Sequence, residues 1–217
     1  MRTIAESLSE IIRKSPYLEE ALGLGLLNHS ALARHLKKDV ERDVMKKVQD
    51  GALIVALNRL ARAFRVKADR PRSLFRKAPD LILRLRLFEV SYANSDSLAR
   101  KQRKLSDSFS PRAPFFATFT RGINETTIIA SRELRDRVLA AFKGEKLLGQ
   151  IEGLASVTVM LPKGTALIPG VYSYILKALA WEGINVVEVV STLNEFTIIL
   201  EDKKIDSAFG VIKRLFG

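Results

Sequence analysis

The chain offers few side chains whose types and spacing suit catalysis. His29 and His35 are its two histidines, and a separation of six residues points them to different sides of one helix. Neither has other metal-binding side chains at ligand spacing, and the absence of cysteine excludes thiol nucleophiles, disulfides and cysteine-based zinc sites. The adjacent acidic pairs Glu19–Glu20 and Glu201–Asp202 have diverging side chains and are interpreted as solvent-facing. We therefore predict no enzyme activity, no metal site and no cofactor.

Basic side chains, by contrast, are concentrated in one half of the chain. The net charge is +12; residues 1–112 carry 24 basic and 13 acidic side chains, whereas residues 113–217 carry 12 and 11. A basic half joined to a near-neutral half is typical of a polyanion-binding module attached to a module of another kind. The acids interleaved with the lysines between Asp39 and Asp50 leave a second interpretation open, a solvated helical face with i,i+4 ion pairs.

The basic residues lie in a segment, residues 1–65, that is predicted to be a helical domain. Within it, residues 28–48 (NHSALARHLKKDVERDVMKKV) have the character of a helix-turn-helix, with a break expected near Lys38–Asp39. Double-stranded DNA is the candidate partner, and RNA or ribosome contact and a protein-interaction arm are the alternatives. No aromatic residues alternate with the basic ones, so a single-strand stacking platform is not indicated. The candidate phosphate contacts are Arg34, Lys37, Lys38, Arg42, Lys46, Lys47, Arg59, Arg62 and Arg65.

The hydrophobic period changes after residues 66–79, which contain two prolines and are predicted to be a basic linker. Residues 80–148 then read as strand, helix, strand, strand, helix, and residues 149–217 repeat that order, which indicates an internal duplication. A βαββα unit is typical of a ferredoxin-like antiparallel sheet with helices on one face. The predicted fold class is therefore α+β, an N-terminal helical domain followed by two ferredoxin-like repeats that pair side by side.

One stretch of the second repeat, IPGVYSYILKALAWEGINVVEVVS (residues 168–191), combines several helix signals. Pro169 suits a first helical turn because its missing N–H would be unpaired there. Gly170 has no Cβ, so a ligand or a neighbouring chain can approach its backbone closely. The free N–H groups of that turn and the positive end of the helix dipole suit a carboxylate. Gly183 is predicted to end the helix in the left-handed conformation.

The segments Pro169-Gly170-Val171, Gly183-Ile184-Asn185-Val186 and Ser191-Thr192 resemble the ACT domain, most closely the ACT repeats at the C-terminus of aspartokinases. The likeness is good over residues 153–217 and only topological over residues 80–145. In that family, effector amino acids sit between the helix start and the strand that carries the Asn, across a domain–domain interface. The resemblance therefore implies a ligand site made by Ile168, Pro169, Gly170, Val171, Asn185 and Val186. Leu167 stands where ligand-binding members often carry Asp, so pairing without a ligand, or another small molecule, stays open.

We expect from these observations a cytoplasmic regulatory protein. The chain shows no secretory signal after Met1 and no apolar stretch long enough to span a membrane. The expected assembly is a homo-oligomer joined through the ACT-like repeats, with a small effector, an amino acid being the candidate. Two alternatives are a protein-interaction or assembly module, and a regulatory subunit that acts in trans on an amino-acid biosynthetic enzyme.

Overall fold

The computed structural model describes residues 2–74, 79–110, 114–165 and 168–216, with side chains in all of these except 66–74. The chain divides into two compact units. The first contains the four N-terminal helices and also residues 168–170, and the second contains a six-stranded sheet with the remaining helices. None of the helices in these ranges combines the length and the apolar character needed to cross a membrane.

The first unit is a helical bundle of α1 (Ile4–Arg13), α2 (Pro16–Gly23), α3 (His29–Val44) and α4 (Asp50–Leu74). Local signals set several of its ends. Thr3 and Glu6 form a capping box at the start of α1, and Gly25, with a φ of 72°, follows the end of α2. All four helices contribute apolar side chains to one core, which includes the fully buried Leu8, Leu22, Val40 and Leu57.

Two predictions for this unit are wrong. α3 runs unbroken through Lys38–Asp39, because Leu36, Val40 and Val44 keep one buried face at helical spacing across that point. The chain breaks instead at residues 45–49, where Met45 adopts a φ of 54°. The predicted linker over 66–79 is helical as far as Leu74, since α4 continues past the end of the apolar pattern. Residues 75–78 of that linker lie outside the described residues.

The second unit consists of two successive βαββα segments. The first segment contains β1 (Leu81–Ala93), α5 (Asp96–Asp107), β2 (Ala117–Arg121), β3 (Glu125–Ser131) and α6 (Arg135–Ala141). The second contains β4 (Leu147–Met160), α7 (Val171–Trp181), β5 (Glu188–Ser191), β6 (Glu195–Glu201) and α8 (Ile205–Phe216). A short 3-10 turn precedes both α6 and α8. These segments are called the first and second repeat below.

The six strands form one antiparallel sheet in the order β2-β3-β1-β4-β6-β5. The two long strands β1 and β4 therefore lie at its centre, where Leu87 is directly opposite Leu154. Each strand bends immediately before that pair, at Arg86 with a φ of 58° and at Gly153 with a φ of 67°. The register shifts between Arg84 and Leu87 mark a bulge there, so only the second half of β1 shows the expected burial alternation.

The sheet has a helix-covered face and an opposite face. Phe88, Val90 and Tyr92 of β1 pack with side chains of α5 and α6. Because side chains alternate along a strand, the residues between them point to the opposite face. There a smaller cluster is centred on Leu87, Ile129, Leu154 and Ile199.

Candidate effector site and basic surface

The turn before α7 differs from the predicted helix start. α7 begins at Val171, so Pro169 and Gly170 lie in a turn ahead of the helix rather than in its first turn. Gly170 has a φ of 91°, a left-handed conformation that a residue with a Cβ adopts at a cost. Pro169 and Gly170 are exposed and Val171 is buried. The backbone conformation of the turn therefore accounts for a glycine at position 170. The buried side chain of Val171 anchors the first turn of α7.

The end of α7 forms as predicted. Gly183 has a φ of 65°, its N–H donates to the carbonyl of Ala180 at 3.1 Å, and the N–H of Ile184 donates to the carbonyl of Leu179 at 3.0 Å. This pair of bonds is a Schellman motif, and the buried side chains of Ile184 and Leu179 accompany it as they commonly do. Ile184 therefore closes the helix instead of starting a strand, and β5 is shorter than the predicted run over 184–191.

The structure does not bring all six predicted ligand residues to one end of the second repeat. Asn185 is exposed and Val186 is half-buried. They lie two and three positions after Gly183, the glycine that ends α7. The eleven residues of α7 span about 16 Å, and they separate the turn at Ile168–Val171 from Asn185. One small ligand can therefore meet both groups only if they come from two different copies of the fold.

The first repeat makes a different connection at the equivalent place. Only two residues join β1 to α5, whereas residues 161–170 join β4 to α7. Ser95 caps α5, since its hydroxyl accepts from the N–H of Leu98 at 2.9 Å. Glu145 occupies the same helix start: its carboxylate accepts from the Ser95 hydroxyl at 2.7 Å and from Lys101 Nζ at 2.7 Å.

The environment of Glu145 strongly favours the ionised carboxylate. Its side chain is 6% exposed. Hydrogen bonds from Lys101 and then Ser95 lower the pKa of Glu145 to about 2. The helix start of the first repeat is thus already neutralised by a carboxylate of the protein. Sequence reasoning missed this residue, because Glu145 lies 50 positions after the serine that binds it and no local pattern relates the two.

The face of the sheet opposite the helices carries the same polar pair in both repeats. Ser91 Oγ is 2.7 Å from Thr127 Oγ1 between β1 and β3, and Thr158 Oγ1 is 2.8 Å from Thr197 Oγ1 between β4 and β6. Matching cross-strand hydroxyl pairs at matching strand positions agree with the proposed duplication. They also show that this face is ordered by side-chain hydrogen bonds as well as by apolar packing.

Two residues before these hydroxyls lie Glu89 and Ser156. Within the described residues, Glu89 Oε2 and Ser156 Oγ are buried without a hydrogen-bond partner. Desolvation, followed by the charges of Glu188 and Glu125, raises the pKa of Glu89. The charged form of Glu89 is therefore disfavoured on this face of the sheet.

The predicted phosphate contacts are mostly exposed in the first unit. Arg34, Lys38 and Arg42 follow one another at four-residue spacing on α3, and all three are exposed. Lys37 differs, since its Nζ lies 2.7 Å from Asp50 Oδ1, and this hydrogen bond raises the pKa of Lys37. The remaining five candidates are exposed in the α3–α4 connection and on α4: Lys46, Lys47, Arg59, Arg62 and Arg65.

The histidines are not arranged as a metal site. His29 Nδ1 lies 2.7 Å from Asn58 Oδ1, and His35 is exposed on α3. Over the described ranges, no three His, Asp or Glu side chains are grouped so that they could hold a metal ion.

Comparison with known proteins finds similarity at the level of structure. No protein-family model matches the sequence, and no curated protein matches it. The fold is similar to aspartate kinase from Clostridium acetobutylicum, with 12% identity, a TM-score of 0.53, and coverage of 63% of this chain but only 34% of the kinase. It is also similar to the regulatory subunit of aspartate kinase from Thermus thermophilus in its ligand-free form, with 15% identity, a TM-score of 0.51, and coverage of 65% of this chain and 100% of that subunit.

A further similar structure is the aspartate kinase regulatory subunit from Thermus flavus, with 14% identity, a TM-score of 0.51, and coverage of 65% of this chain and 100% of that one. At these identities the likeness shows the fold. The predicted ACT-like fold is therefore confirmed, as an α+β architecture with an antiparallel sheet shared with aspartate kinase regulatory regions. The chain spans about a third of the length of the whole clostridial kinase.

Proposed function

We propose that this chain is a non-catalytic regulatory protein of amino-acid metabolism, in which the sheet unit binds a small carboxylate effector, an amino acid being the candidate, and joins copies of the chain. The observation that carries the proposal is the contrast between the two repeats. In the first, Glu145 fills the helix start. In the second, an exposed Pro169-Gly170 turn precedes the helix, and the polar, exposed Asn185 lies at its other end.

A helix start suits a carboxylate because its first N–H groups lack partners within the helix and carry the positive end of the helix dipole. Glu145 provides an internal parallel, since its carboxylate lies at the corresponding helix start, where the Ser95 hydroxyl and the Lys101 ammonium hold it. An amino-acid effector also carries an ammonium group, and the carbonyl oxygen of the Asn185 amide can accept a hydrogen bond from it. The proposed site thus pairs the turn of one copy with Asn185 of another.

The central strands offer a surface on which two copies can join. Among the described residues, Leu81–Arg84 of β1 pair only with β4, because the pairing of β1 with β3 starts at Leu87. The first residues of β4, Leu147–Ile151, likewise pair only with β1. Each of these two strand ends is thus a free sheet edge, and such edges bind further strands. The exposed apolar side chains in or directly beside the two ends are Ile82, Leu83, Leu85, Leu147, Leu148 and Ile151.

Thermal-shift measurements with the twenty standard amino acids test effector binding. A ligand at about a hundred times its Kd stabilises the folded state by about 2.7 kcal/mol, which is about 5–10 °C for a chain of this size. Asn185→Ala is expected to remove that shift, and Asn124→Ala, an exposed Asn of the first repeat, is expected to keep it. Gly170 is a poor test position, since its φ of 91° strains any substitute. A shift that survives Asn185→Ala contradicts the proposed site.

For the helical unit we propose duplex DNA as the partner. The supporting observation is the exposed row Arg34, Lys38 and Arg42 on α3, with five further exposed basic residues in the same unit. The ion pair of Arg42 with Asp39, at 3.3 Å, is itself solvent-exposed and holds the guanidinium weakly. A protein-interaction arm, or a subunit that acts in trans on an amino-acid biosynthetic enzyme, is the competing proposal. Co-purification of such an enzyme, without salt-dependent binding of DNA, favours the competitor.

A further inference from the structure

A cavity in the helical unit combines three cationic or ionisable side chains with no acidic one. It has a volume of about 330 Å³ and lies between the end of α2, the start of α3 and the middle of α4. Its walls are residues 22–25, Ala61 and the side chains of His29, Arg62 and Arg65. Pockets for small molecules begin at about 300 Å³, so the cavity is large enough for a small ligand.

The packing of α2 against α4 makes this cavity a built feature. A Cβ added at Gly23 would lie 2.9 Å from the backbone carbon of Phe64, so the two helices touch through the glycine backbone. The carbonyls of Ala21 and Leu22 accept hydrogen bonds from Leu26 and Gly25. These two carbonyls at the end of α2 therefore have hydrogen-bond donors within the protein. They repel a bound anion less than unpaired carbonyls would.

The cationic groups point to the class of ligand. Arg62 and Arg65 are one turn apart on α4, and neither forms an ion pair with any residue whose side chain the structure describes. His29 Nδ1 is held by Asn58 Oδ1, so Nε2 is the ring nitrogen that remains for a ligand. The two guanidinium groups donate hydrogen bonds that match the oxygens of a phosphoryl group, and His29 Nε2 can accept a hydrogen bond from a protonated phosphoryl oxygen.

We infer that this cavity binds a phosphoryl group, through Arg62, Arg65 and His29. The apolar wall made by Leu22, Leu24 and Ala61 would contact the remainder of a small phosphate ester. A phosphate of a DNA backbone offers the same oxygens. The inference does not depend on the effector proposed for the sheet unit, because phosphate binding and the amino-acid thermal shift can each fail alone.

The test is titration of the full-length protein with inorganic phosphate at constant ionic strength, followed by calorimetry and by amide chemical shifts. We expect saturable binding with shifts at Gly25 and His29. Arg62→Gln and Arg65→Gln are each expected to weaken binding about tenfold, as loss of a charge-assisted hydrogen bond does. Arg13→Gln is the matched control, since Arg13 is an exposed arginine of the same unit that does not line the cavity; it should change affinity by less than about twofold.

Binding that does not saturate, or an equal loss in Arg13→Gln, overturns the inference. Because Arg62 and Arg65 are exposed, unfolding of their variants is not expected, and circular dichroism verifies this. A second experiment identifies the source of the phosphoryl group. If a short DNA duplex displaces phosphate from the wild type, the pocket holds a backbone phosphate; if phosphate stays bound while duplex is added, the pocket serves a small phosphate ester.

Discussion

At the scale of single residues, Glu145 is the side chain that most clearly distinguishes the first repeat from the second. It connects the start of β4 to the start of α5 through Ser95 and Lys101. Its carboxylate accepts hydrogen bonds from both of these side chains, and its negative charge lies at the positive end of a helix dipole. The Ser95 hydroxyl and the Lys101 ammonium are therefore already engaged at this helix start.

The lowered pKa of Glu145 predicts a pH dependence of stability. A group whose folded pKa is depressed contributes stability that is present above its unfolded pKa and is lost as pH falls through the folded value. The window for Glu145 runs from 4.5 down to about 2. Glu145→Gln should therefore destabilise the second unit at pH 7, and its difference from the wild type should shrink as pH approaches 2. Urea unfolding monitored by Trp181, the single tryptophan, measures this; Glu133→Gln is the exposed control, and a difference independent of pH would contradict the prediction.

The individual roles of residues were predictable where the cause is local. Gly183 could be identified as a helix stop because a glycine after an amphipathic run has one common use. The roles of Glu145 and of Glu89, whose buried Oε2 has no hydrogen-bond partner among the described residues, could not be predicted. Their surroundings come from strands and helices far along the chain. Arg62, Arg65 and His29 were visible as basic residues, but only the packing of three helices brings them around one cavity.

At the scale of elements, the two ends of α7 depend on glycines with positive φ. A Cβ at Gly183 would meet nothing within 4 Å, so the cost of a substitution there is conformational alone. Gly183→Ala should lower the free energy of unfolding by about 1–2 kcal/mol. Gly51→Ala is a matched comparison, because Gly51 is in α4, also has open space around it, and has ordinary helical geometry; Ala should stabilise that helix by up to about 1 kcal/mol. Chemical denaturation of both variants checks the opposite signs.

The boundaries of elements followed the sequence when a capping residue marked them and departed from it elsewhere. The starts of α1 and α5 carry side-chain caps from Thr3 and Ser95, which local patterns reveal. The predicted break at Lys38–Asp39 does not form, because α3 keeps a continuous apolar face across it. The bulge at Arg86 arises from pairing with β4, so the alternating pattern of β1 alone could not predict it.

At the scale of the whole molecule, the free strand ends predict self-association. Leu85→Lys combined with Leu148→Lys places charge on both ends, and it should shift a dimer or larger assembly toward monomer at tens of micromolar protein. Ile123→Lys is the matched control, since Ile123 is 96% exposed at a hairpin tip and is not part of either strand end. Light scattering of the three proteins decides the matter. A wild type that is strictly monomeric would contradict both this interface and the two-copy effector site.

The basic helical unit predicts a salt-dependent affinity for duplex DNA. Each phosphate contact adds about one unit to the slope of log affinity against log salt concentration. Replacing Arg42, Lys46 and Lys47 with Gln should flatten the slope by about two to three units. The same change of charge at Lys163, Lys204 and Lys213, exposed residues of the second unit, should leave it nearly unchanged. Absence of salt-dependent binding by the wild type would remove DNA as the partner.

The unequal connections in the two repeats have a consequence for counting. Two identical repeats would offer two equivalent sites in every chain, and a dimer would hold four effectors. With two residues joining β1 to α5 and the Glu145 carboxylate at that helix start, the proposed function leaves one open site per chain. A calorimetric titration should therefore reach its end point at one effector per chain. Only replacement of Glu145 is expected to raise this stoichiometry toward two effectors per chain.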